Sequence, residues 1–403
     1  MGAIEINPSR LMADLQTLRG FGRMGNAVVR QAFTSVDIEA RRWLAEKMSE
    51  AALRPVWDEV GNVFALPGGD RPTILIGSHS DTHREGGWLD GSYGVICGLE
   101  IARAAQEAGR GGVACVAFAD EEGAFAPMLG SRYWTGELSL QAARACSDSR
   151  GRQLADVLAE IPEVARADRV PYERFRAFIE PHIEQGPVLD GAGDNVAVVS
   201  AIAGVRQLEL SFTGEQNHAG ATPMEGRRDA LHEFLQYASA LCKAFTARAS
   251  EAAVWTFGEL GIYPNTPSII PGRVRAVLQV RDVTTPGLDG MVREALQLAE
   301  RLRGVRGVEI EARQVLSVAP TKMASDLSGE LAMAAAEHAP RKWRRMPSGV
   351  LHDAAIISSK LPTAMVFTPS LAGRSHTFDE DTRPEHLVLG CSVVAAAVSR
   401  LQS

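Results

Sequence analysis

The sequence contains no dense run of basic residues and no long apolar run. Its 403 residues carry a formal net charge of −7 at pH 7, whereas nucleic-acid-binding surfaces concentrate Lys and Arg. The densest basic cluster, at 341–345, is more typical of a solvated helix end. No apolar stretch reaches the ~20 residues that a membrane helix needs. We therefore expect neither a nucleic acid nor a membrane as a partner.

Cysteine is scarce and scattered. The five cysteines form no CxxC pair, and an odd, scattered set indicates reduced thiols and not a disulfide framework. The first fifteen residues also lack the basic start and apolar segment of a signal peptide. These features predict a cytoplasmic protein.

The signatures of three hydrolase classes are also missing, because the sequence has no GxSxG, no HExxH and no P-loop. What is present is the composition of an ordinary globular protein, with 45% hydrophobic and 23% charged residues. A chain of 403 residues exceeds what one hydrophobic core usually serves, so we expect two domains.

The first two hundred residues alternate strand-like and helix-like segments. We predict strands over 73–77, 113–119 and 175–179 and helices over 40–52 and 94–109. Such alternation is typical of an α/β fold, in which helices cover a mostly parallel sheet.

From about residue 205 the pattern changes to strands with one polar face, as in the alternating residues 208–212. The order strand, helix, strand, strand, helix, strand is that of a ferredoxin-like module. An apolar strand at 363–367 then returns to the pattern of the first two hundred residues. We therefore predict a discontinuous α/β domain, 1–204 and 318–403, interrupted by an inserted ferredoxin-like α+β domain over 205–317.

Polar blocks follow two of the predicted strands. His79 and Asp81 come after the first strand, with Asp90 in a glycine-rich bend beyond them, and Glu121 and Glu122 come after the second. Open α/β folds build their sites at the carboxyl ends of parallel strands. Each block alone is also typical of a solvated loop. Because adjacent glutamates point in different directions, one can bind a metal while the other faces the substrate as a base.

Two further histidines, His182 and His376, also follow apolar strands. Four strand ends thus supply three histidines and two carboxylates, a mixed nitrogen and oxygen set that suits Zn²⁺, Mn²⁺ or Co²⁺. Five ligands fit two metal ions that share one bridging carboxylate. The inserted domain adds His218 in a loop and Arg281 at a strand end; by themselves these two are more typical of a surface histidine and an ordinary salt-bridge residue.

These motifs closely resemble the amidohydrolase branch of the metallopeptidase M20 family, which comprises N-carbamoyl-L-amino-acid hydrolases, β-ureidopropionases and allantoate amidohydrolases. The resemblance covers nearly the whole chain in the right order. The matching stretches are Gly77 to Gly98, Ala117 to Gly136, Phe178 to Leu189, Gly204 to Ala230, Ile269 to Asp282 and His352 to Pro384. The run from His182 to Leu189 separates this branch from ordinary M20 peptidases, which usually carry a carboxylate at the position of His182.

The resemblance implies two divalent metal ions per subunit, which could be Zn, Mn, Co or Ni. It implies that His79 and His182 bind one ion, that Glu122 and His376 bind the other, and that Asp90 bridges them.

The resemblance also implies the catalytic groups. Glu121 would be the general base for the hydrolytic water, and Asp81 would orient His79. In the family, His218 of the partner subunit reaches the site and stabilises the oxyanion. The inserted domain would therefore act as a lid and as the surface of a homodimer.

The substrate contacts implied by the resemblance are Gln185, Asn217, Ser268, Arg281 and Gly373, with Arg281 as a bidentate clamp on a carboxylate. Several positions depart from the usual pattern of the family. Ser268 replaces a common Asn, Leu351 replaces a common Gly, and residues 83–85 replace an apolar, Pro-containing stretch.

The sequence therefore predicts a dinuclear-metal hydrolase that cleaves the C–N bond of a ureido or amide group on a small carboxylate. An N-carbamoyl-L-amino acid, which would yield an L-amino acid, CO₂ and NH₃, is the first candidate. An allantoate-type ureide and an N-acyl amino acid are the alternatives. A catalytically silent, metal-free relative that binds a small molecule is the alternative of another class.

Overall fold

The structure is a computed structural model that describes residues 3–69, 72–84 and 86–402. Glu85, the last residue of the departure at 83–85, lies outside the described residues. The chain divides into two compact units. The first comprises Met1–Ser200, Met323–Ser348 and His352–Ser403, and the second comprises Ala201–Lys322 with Gly349–Leu351.

The strands found in the described residues are β1 (Arg23–Met24), β2 (Ala27–Val28), β3 (Arg54–Trp57), β4 (Val63–Leu66), β5 (Thr73–His79), β6 (Val113–Phe118), β7 (Phe175–Ile183), β8 (Val196–Ile202), β9 (Gly204–Thr213), β10 (Asn217–His218), β11 (Val254–Tyr263), β12 (Ile269–Ile270), β13 (Arg273–Asp282), β14 (Glu309–Val318), β15 (Thr321–Lys322), β16 (Trp343–Ser348) and β17 (Thr363–Thr368).

The α-helices of the same ranges are α1 (Pro8–Gly20), α2 (Ser35–Glu50), α3 (Ser92–Glu107), α4 (Leu129–Trp134), α5 (Leu140–Arg144), α6 (Leu154–Ala159), α7 (Val188–Ala192), α8 (Ala230–Arg248), α9 (Thr285–Leu302), α10 (Ser325–His338), α11 (Asp353–Ile357) and α12 (Pro384–Leu401). None of the described helices has the length and apolarity that a bilayer span requires.

The first unit is built on a sheet with the strand order β8-β17-β7-β5-β6-β4-β3, and β16 also pairs with β8. Its four central strands, β17, β7, β5 and β6, are parallel, whereas β8, β4 and β3 join them in antiparallel fashion. Helices pack on this sheet around the main hydrophobic core. The predicted α/β fold with a mostly parallel sheet is confirmed, and the strands at its margins supply the antiparallel part.

Helix α3 lies close to the sheet because two glycines face the strands. A Cβ atom on Gly98 would stand 2.5 Å from the carbonyl oxygen of Ile76, and one on Gly94 would stand 2.4 Å from that of Pro181. Since real Cβ atoms cannot approach so closely, only glycine permits this packing. The close packing fixes the start of α3 above the carboxyl ends of β5 and β7, where the polar residues that follow the predicted strands lie.

The second unit contains the order β9, α8, β11, β13, α9, β14, and its sheet has the antiparallel strand order β11-β13-β9-β14. Along β9 the side chains of Leu208, Leu210 and Phe212 are buried against the helices, while Glu209 on the other face pairs with Arg313 at 2.8 Å. This alternation is what produced the one-faced strand pattern of the sequence. The element order is that of a ferredoxin-like module.

One element differs from its predicted length. Strand β7 continues to Ile183, so that His182 lies inside the strand and not beyond it. The proline at 181 suggested an end at residue 179, but β7 has strands on both sides and pairs with β17 through Thr368 opposite Ile183. Tertiary pairing therefore outweighs the local breaker.

Candidate metal centre

His79 and His182 lie level with each other on neighbouring parallel strands. Strands β5 and β7 pair with Ile76 opposite Ile179, and three further residues along each strand bring the two histidines side by side. Both rings are buried, and their centroids lie 6.2 Å apart. The register of the central sheet therefore brings two imidazoles to one place at its carboxyl edge.

Each of these imidazoles is held through Nδ1 by a backbone carbonyl. Nδ1 of His79 lies 3.0 Å from the carbonyl oxygen of Asp81, and Nδ1 of His182 lies 2.9 Å from that of Ile183. A proton on Nδ1 satisfies each carbonyl and leaves the lone pair on Nε2, which is the arrangement usual for metal-binding histidines. Nε2 of His182 accepts the backbone N–H of Gly91 at 3.2 Å, a contact that a bound ion would replace.

Asp90 lies between these histidines and His376. Its Oδ1 is 3.7 Å from Nε2 of His79 and 3.2 Å from Nε2 of His182, whereas its Oδ2 is 2.9 Å from Nε2 of His376. Gly91 makes this position possible, because a Cβ atom there would stand 2.4 Å from Nε2 of His79. The two oxygens of one carboxylate therefore face two separate groups of nitrogen atoms.

Glu122 stands with His376 on the second side of Asp90. Its Oε1 lies 3.5 Å from Nε2 of His376 and accepts a hydrogen bond from the backbone N–H of His83 at 3.0 Å. His376 has a left-handed backbone, with φ of 53°, which is uncommon outside glycine and is a feature of functional loops.

The donor set fits two divalent cations. The ligand atoms of His79, Asp90 and His182 lie within 4.8 Å of one another, and so do those of Asp90, Glu122 and His376. Asp90 belongs to both groups, and imidazole with carboxylate is a donor set that Zn²⁺, Mn²⁺ and similar ions accept. These five residues could therefore hold two ions with Asp90 between them.

The acidic and basic groups of the centre shift one another's pKa values. Burial would raise the pKa of Asp90, but hydrogen bonds from His182, His376 and His79 hold it well below its ordinary value. The hydrogen bond to Asp90 raises the pKa of His376 to about 9, while burial and the Asp90 charge raise that of Glu122 to about 7. Protons and metal ions compete for the same lone pairs, so a cluster that attracts protons in this way also attracts cations.

Glu121 is next to the centre without belonging to either ligand group. Its Oε2 lies 3.6 Å from Nε2 of His79. Burial raises the pKa of Glu121 well above its ordinary value, and the charges of Asp353 and Glu122 act in the same direction, whereas His79 opposes them. A buried carboxyl group with a raised pKa beside ligand atoms is typical of a general base or acid.

Asp81 contacts the centre through both its main chain and its side chain. The backbone carbonyl of Asp81 contacts His79, while its carboxylate lies 3.7 Å from the same Nδ1. That carboxylate accepts the backbone N–H groups of Glu121 at 3.4 Å and Glu122 at 3.2 Å. Asp81 thus orients His79 through its main chain and the two glutamates through its side chain.

Gln185 and Gly373 lie at the edge of the centre. The side-chain amide of Gln185 donates to Oδ2 of Asp90 at 2.9 Å and to Ser375 at 3.3 Å. Gly373 has φ of 67°, and a Cβ atom there would stand 2.7 Å from the backbone nitrogen of Pro187. The glycine therefore lets its loop pack beside the segment that carries Gln185.

Asn217, His218 and Ser268 form one cluster in the second unit. His218 pairs with Ile269 between β10 and β12, and the carbonyl oxygen of Ser268 accepts the N–H of Ala219 at 2.8 Å. Nδ1 of His218 accepts two backbone N–H groups, from Gly220 and from Ala221, each at 3.1 Å. The neutral ring must therefore carry its proton on Nε2, which makes the exposed edge of His218 a hydrogen-bond donor.

Arg281 lies near the end of β13, in the four-stranded sheet and not in the β10–β12 pair that carries His218. Strand β13 begins at Arg273, beside the loop that carries Ser268, and Arg281 is eight residues further on, which corresponds to about 27 Å along the strand. Its guanidinium donates to Gln279 at 3.1 Å and to the carbonyl oxygen of Gly349 at 2.7 Å. In the second unit of a single chain, the His218 cluster and Arg281 are therefore too far apart to contact the same small molecule.

Glu380, which the sequence analysis missed, connects two loops of the centre. Its Oε1 accepts the consecutive backbone N–H groups of Trp88, Leu89 and Asp90 at 2.8, 2.9 and 3.1 Å. Its Oε2 accepts the hydroxyl of Ser375 at 2.8 Å. One buried carboxylate therefore fixes the segment of Asp90 and the segment of His376 together. The only sequence signal was an acidic residue four positions after His376.

A second missed group lies behind His182. Glu180, His182 and His352 also place ligand atoms within 4.8 Å. However, Glu180 already accepts hydrogen bonds from Ser78 and from the N–H of Ala354, both at 2.7 Å, and Nε2 of His352 lies 2.9 Å from the hydroxyl of Ser348. Because these groups already have protein partners, this layer supports the ring of His182.

Three comparisons with known proteins agree with this geometry. Residues 66–400 match the model of peptidase family M20/M25/M40. The chain is 33% identical to an N-carbamoyl-L-amino acid amidohydrolase of Geobacillus stearothermophilus, over 98% of this chain and 99% of that protein. It is 31% identical to an allantoate amidohydrolase of Escherichia coli, over 90% of each.

Among solved structures, the chain is similar to a hydantoinase/carbamoylase-family amidase from Burkholderia phymatum. The TM-score is 0.94 at 40% identity, with 100% of this chain and 99% of that chain covered. The resemblance stated in the sequence analysis is confirmed. The chain belongs to peptidase family M20/M25/M40 and is a hydrolase of its amidohydrolase branch, which acts on C–N bonds other than peptide bonds.

Proposed function

We propose that the protein is a dinuclear-metal amidohydrolase that converts an N-carbamoyl-L-amino acid to the L-amino acid, CO₂ and NH₃. The observation that carries this proposal is the position of Asp90, whose Oδ1 faces two histidines while its Oδ2 faces a third. When bound, two divalent ions would polarise the ureido carbonyl and acidify water. His79, His182, Asp90, Glu122 and His376 would hold them.

In this proposal Glu121 moves the protons of the reaction. Its carboxylate accepts a proton from the hydrolytic water and then delivers it to the departing nitrogen as the C–N bond breaks. The raised pKa of Glu121 supports this role, because a carboxyl group of ordinary acidity would return the proton poorly at neutral pH. One water molecule is consumed for each CO₂, NH₃ and amino acid released.

Three groups position the substrate in this proposal. Arg281 binds the carboxylate of the amino acid, and Gln185 contacts the ureido group from its place beside Asp90. His218 offers its Nε2–H to the oxyanion, which is consistent with the two N–H groups that occupy its Nδ1.

We also propose a homodimer, formed through the second unit, in which each site receives His218 of the partner subunit. The separation of about 27 Å along β13 supports it, because the loop that carries Ser268 precedes the start of β13 whereas Arg281 lies near its end. A small substrate that contacts both groups therefore requires two copies of the chain.

The experiment is a product assay on the purified protein with Mn²⁺, Co²⁺ or Zn²⁺ added. Ammonia and amino acid are measured over a panel of N-carbamoyl-L-amino acids, allantoate and N-acyl-L-amino acids. The proposal expects the highest kcat/KM on a carbamoyl substrate. Allantoate is the second candidate, because the chain is similar to an allantoate amidohydrolase. A higher kcat/KM on allantoate or on an acyl substrate would replace the carbamoyl proposal. A protein with no activity and no bound metal would be a silent relative.

A further inference from the structure

A cavity of about 600 Å³ opens beside the candidate metal centre on the side of Glu122. Its lining includes Asp81, Thr82, His83 and Glu122 together with residues of the loop 147–152. All of these residues belong to the first compact unit. The volume is within the range of cavities that bind small molecules. None of the substrate contacts proposed above lines it.

His83 connects this cavity with the centre. Its imidazole stacks on that of His376, with centroids 5.0 Å apart and an interplanar angle of 4°, and its backbone N–H donates to Glu122. A substrate bound at the centre would therefore meet the cavity directly past the ring of His83. This histidine belongs to the stretch 83–85, which the resemblance to the family marked as a departure from its usual pattern.

The charge of the cavity is set by arginines. Arg84 and Arg150 are exposed at its wall, and neither forms a salt bridge with any described residue. The carboxylate of the loop, Asp148, is already satisfied, because it pairs with Arg152 at 2.8 Å and accepts the N–H groups of Arg150 and Arg152 at 2.9 Å.

The other acidic groups of the lining are also occupied. The carboxylate of Asp81 is fully buried and accepts the N–H groups of Glu121 and Glu122. Glu122 faces His376 and is a proposed metal ligand. Among the described residues that line it, the cavity thus offers two guanidinium groups to an incoming ligand and no unpaired carboxylate. Hydroxyl and amide groups from Gln31, Ser147 and Ser149 complete a polar lining.

We propose that this cavity binds a second carboxylate of the substrate, so that the enzyme prefers N-carbamoyl derivatives of acidic L-amino acids. The inference rests on the proposed function and narrows its substrate class. One carboxylate of the substrate is held by Arg281, the ureido group lies at the centre, and the side-chain carboxylate reaches Arg84 and Arg150. Guanidinium groups favour carboxylates through charge-assisted, often bidentate hydrogen bonds.

The test compares N-carbamoyl-L-glutamate with N-carbamoyl-L-glutamine, which has nearly the same shape but no side-chain charge. For the natural chain we expect kcat/KM to be at least about tenfold higher on the glutamate derivative, as hydrogen bonds to charged groups allow. Charge reversal in Arg84→Glu or Arg150→Glu should abolish or invert that ratio. Arg144→Glu is the matched control, because Arg144 is exposed on α5 outside the cavity, and it should leave the ratio unchanged.

A second readout, calorimetric binding of the products, does not depend on turnover. L-glutamate should bind the natural chain more tightly than L-glutamine, and Arg150→Glu should remove the difference. Equal kcat/KM values on the two carbamoyl substrates, or a preference that survives both charge reversals, would overturn the cavity proposal and leave the proposed function standing. Hydrolysis of other N-carbamoyl-L-amino acids but of neither of these two would also overturn the cavity proposal. Absence of hydrolysis of every N-carbamoyl-L-amino acid would overturn the proposed function, and the binding of the two products would then decide on the cavity.

Discussion

Glu121 and Glu122 are adjacent in sequence but have different surroundings. Oε1 of Glu122 faces His376, whereas Glu121 lies beside His79, outside both ligand groups. The turn that carries both glutamates is built by Asp120, which has φ of 56° and accepts the N–H groups of Ala124, Phe125 and Ala126. One turn thus gives two like side chains different surroundings, which suits the different roles proposed for them.

We predict that Glu121→Gln retains the bound metal but lowers kcat by about 10²–10⁴-fold, the usual contribution of a general base. Glutamine keeps the shape of the side chain and cannot accept the proton. Steady-state kinetics with metal analysis of the same sample checks both parts. Glu46→Gln, at an exposed position of α2, is the control and should behave as the natural chain. Near-normal turnover in Glu121→Gln would remove this residue from the role.

Residues at strand ends were the most predictable part of the site. His79 and His182 could be proposed because polar residues after apolar strands gather at one sheet edge. For the His79 ring, the spacing His-x-Asp indicated Asp81 as the partner without deciding between its carboxylate and its carbonyl, and the nearer contact is the carbonyl oxygen. A sequence pattern identifies the residue but not which of its oxygen atoms lies closer.

At the scale of elements, the loop before α3 and the segment before α12 depend on each other. Asp90 lies in the first and His376 in the second, and Glu380 receives hydrogen bonds from both. The residues joined by this contact are about 290 positions apart in sequence. No local pattern indicates such a contact, which is why the sequence analysis did not find Glu380.

We predict that Glu380→Gln weakens metal affinity by about 10–100-fold, the usual effect of losing a residue that orients ligands. A neutral amide can keep the same partners, with its NH₂ group donating to the hydroxyl oxygen of Ser375, but it accepts the three N–H groups at 88–90 more weakly than a carboxylate does. Titration with a chelating dye measures the affinity, and circular dichroism should show an unchanged fold. Glu385→Gln, at the start of α12, is the control. Unchanged metal affinity in Glu380→Gln would contradict the role.

The ends of a strand could be predicted from the sequence where the local residue pattern and the tertiary packing agree. Strand β6 was expected over 113–119 and is found at Val113–Phe118, because its apolar run is bounded by glycines and by Asp120. Strand β8 at Val196–Ile202 was not predicted. Its apolar residues have no helical or alternating period that separates a strand from a buried helix, and its pairing with β17 decides the outcome.

At the scale of the whole molecule, the proposed dimer makes a prediction that a monomeric enzyme does not. His218→Ala and Glu121→Gln should each be nearly inactive alone. After mixing under conditions that allow subunit exchange, half of the dimers are mixed, and each mixed dimer has one site with an intact Glu121 and an intact His218 of the partner subunit. We therefore expect recovery to about one quarter of the natural activity in a symmetric dimer.

The control for this experiment is the exchange of Glu121→Gln with Glu122→Gln. Both positions lie in the first unit and are proposed to act in the centre of their own subunit. Each centre of a mixed dimer therefore still contains one damaged group. No recovery is expected there. Failure of the His218→Ala mixture to regain activity, with exchange verified by native mass spectrometry, would show that His218 does not act across subunits.

The central claim of this account is that Asp90 joins two metal ions in one centre. The most direct measurement is the metal content per chain, by elemental analysis after dialysis against Mn²⁺ or Zn²⁺ and removal of excess ions. The account predicts two ions in the natural chain, one in His376→Ala and fewer than one in Asp90→Ala, because both ligand groups contain Asp90. A natural chain with one ion or none, or an Asp90→Ala variant that keeps two, would contradict it.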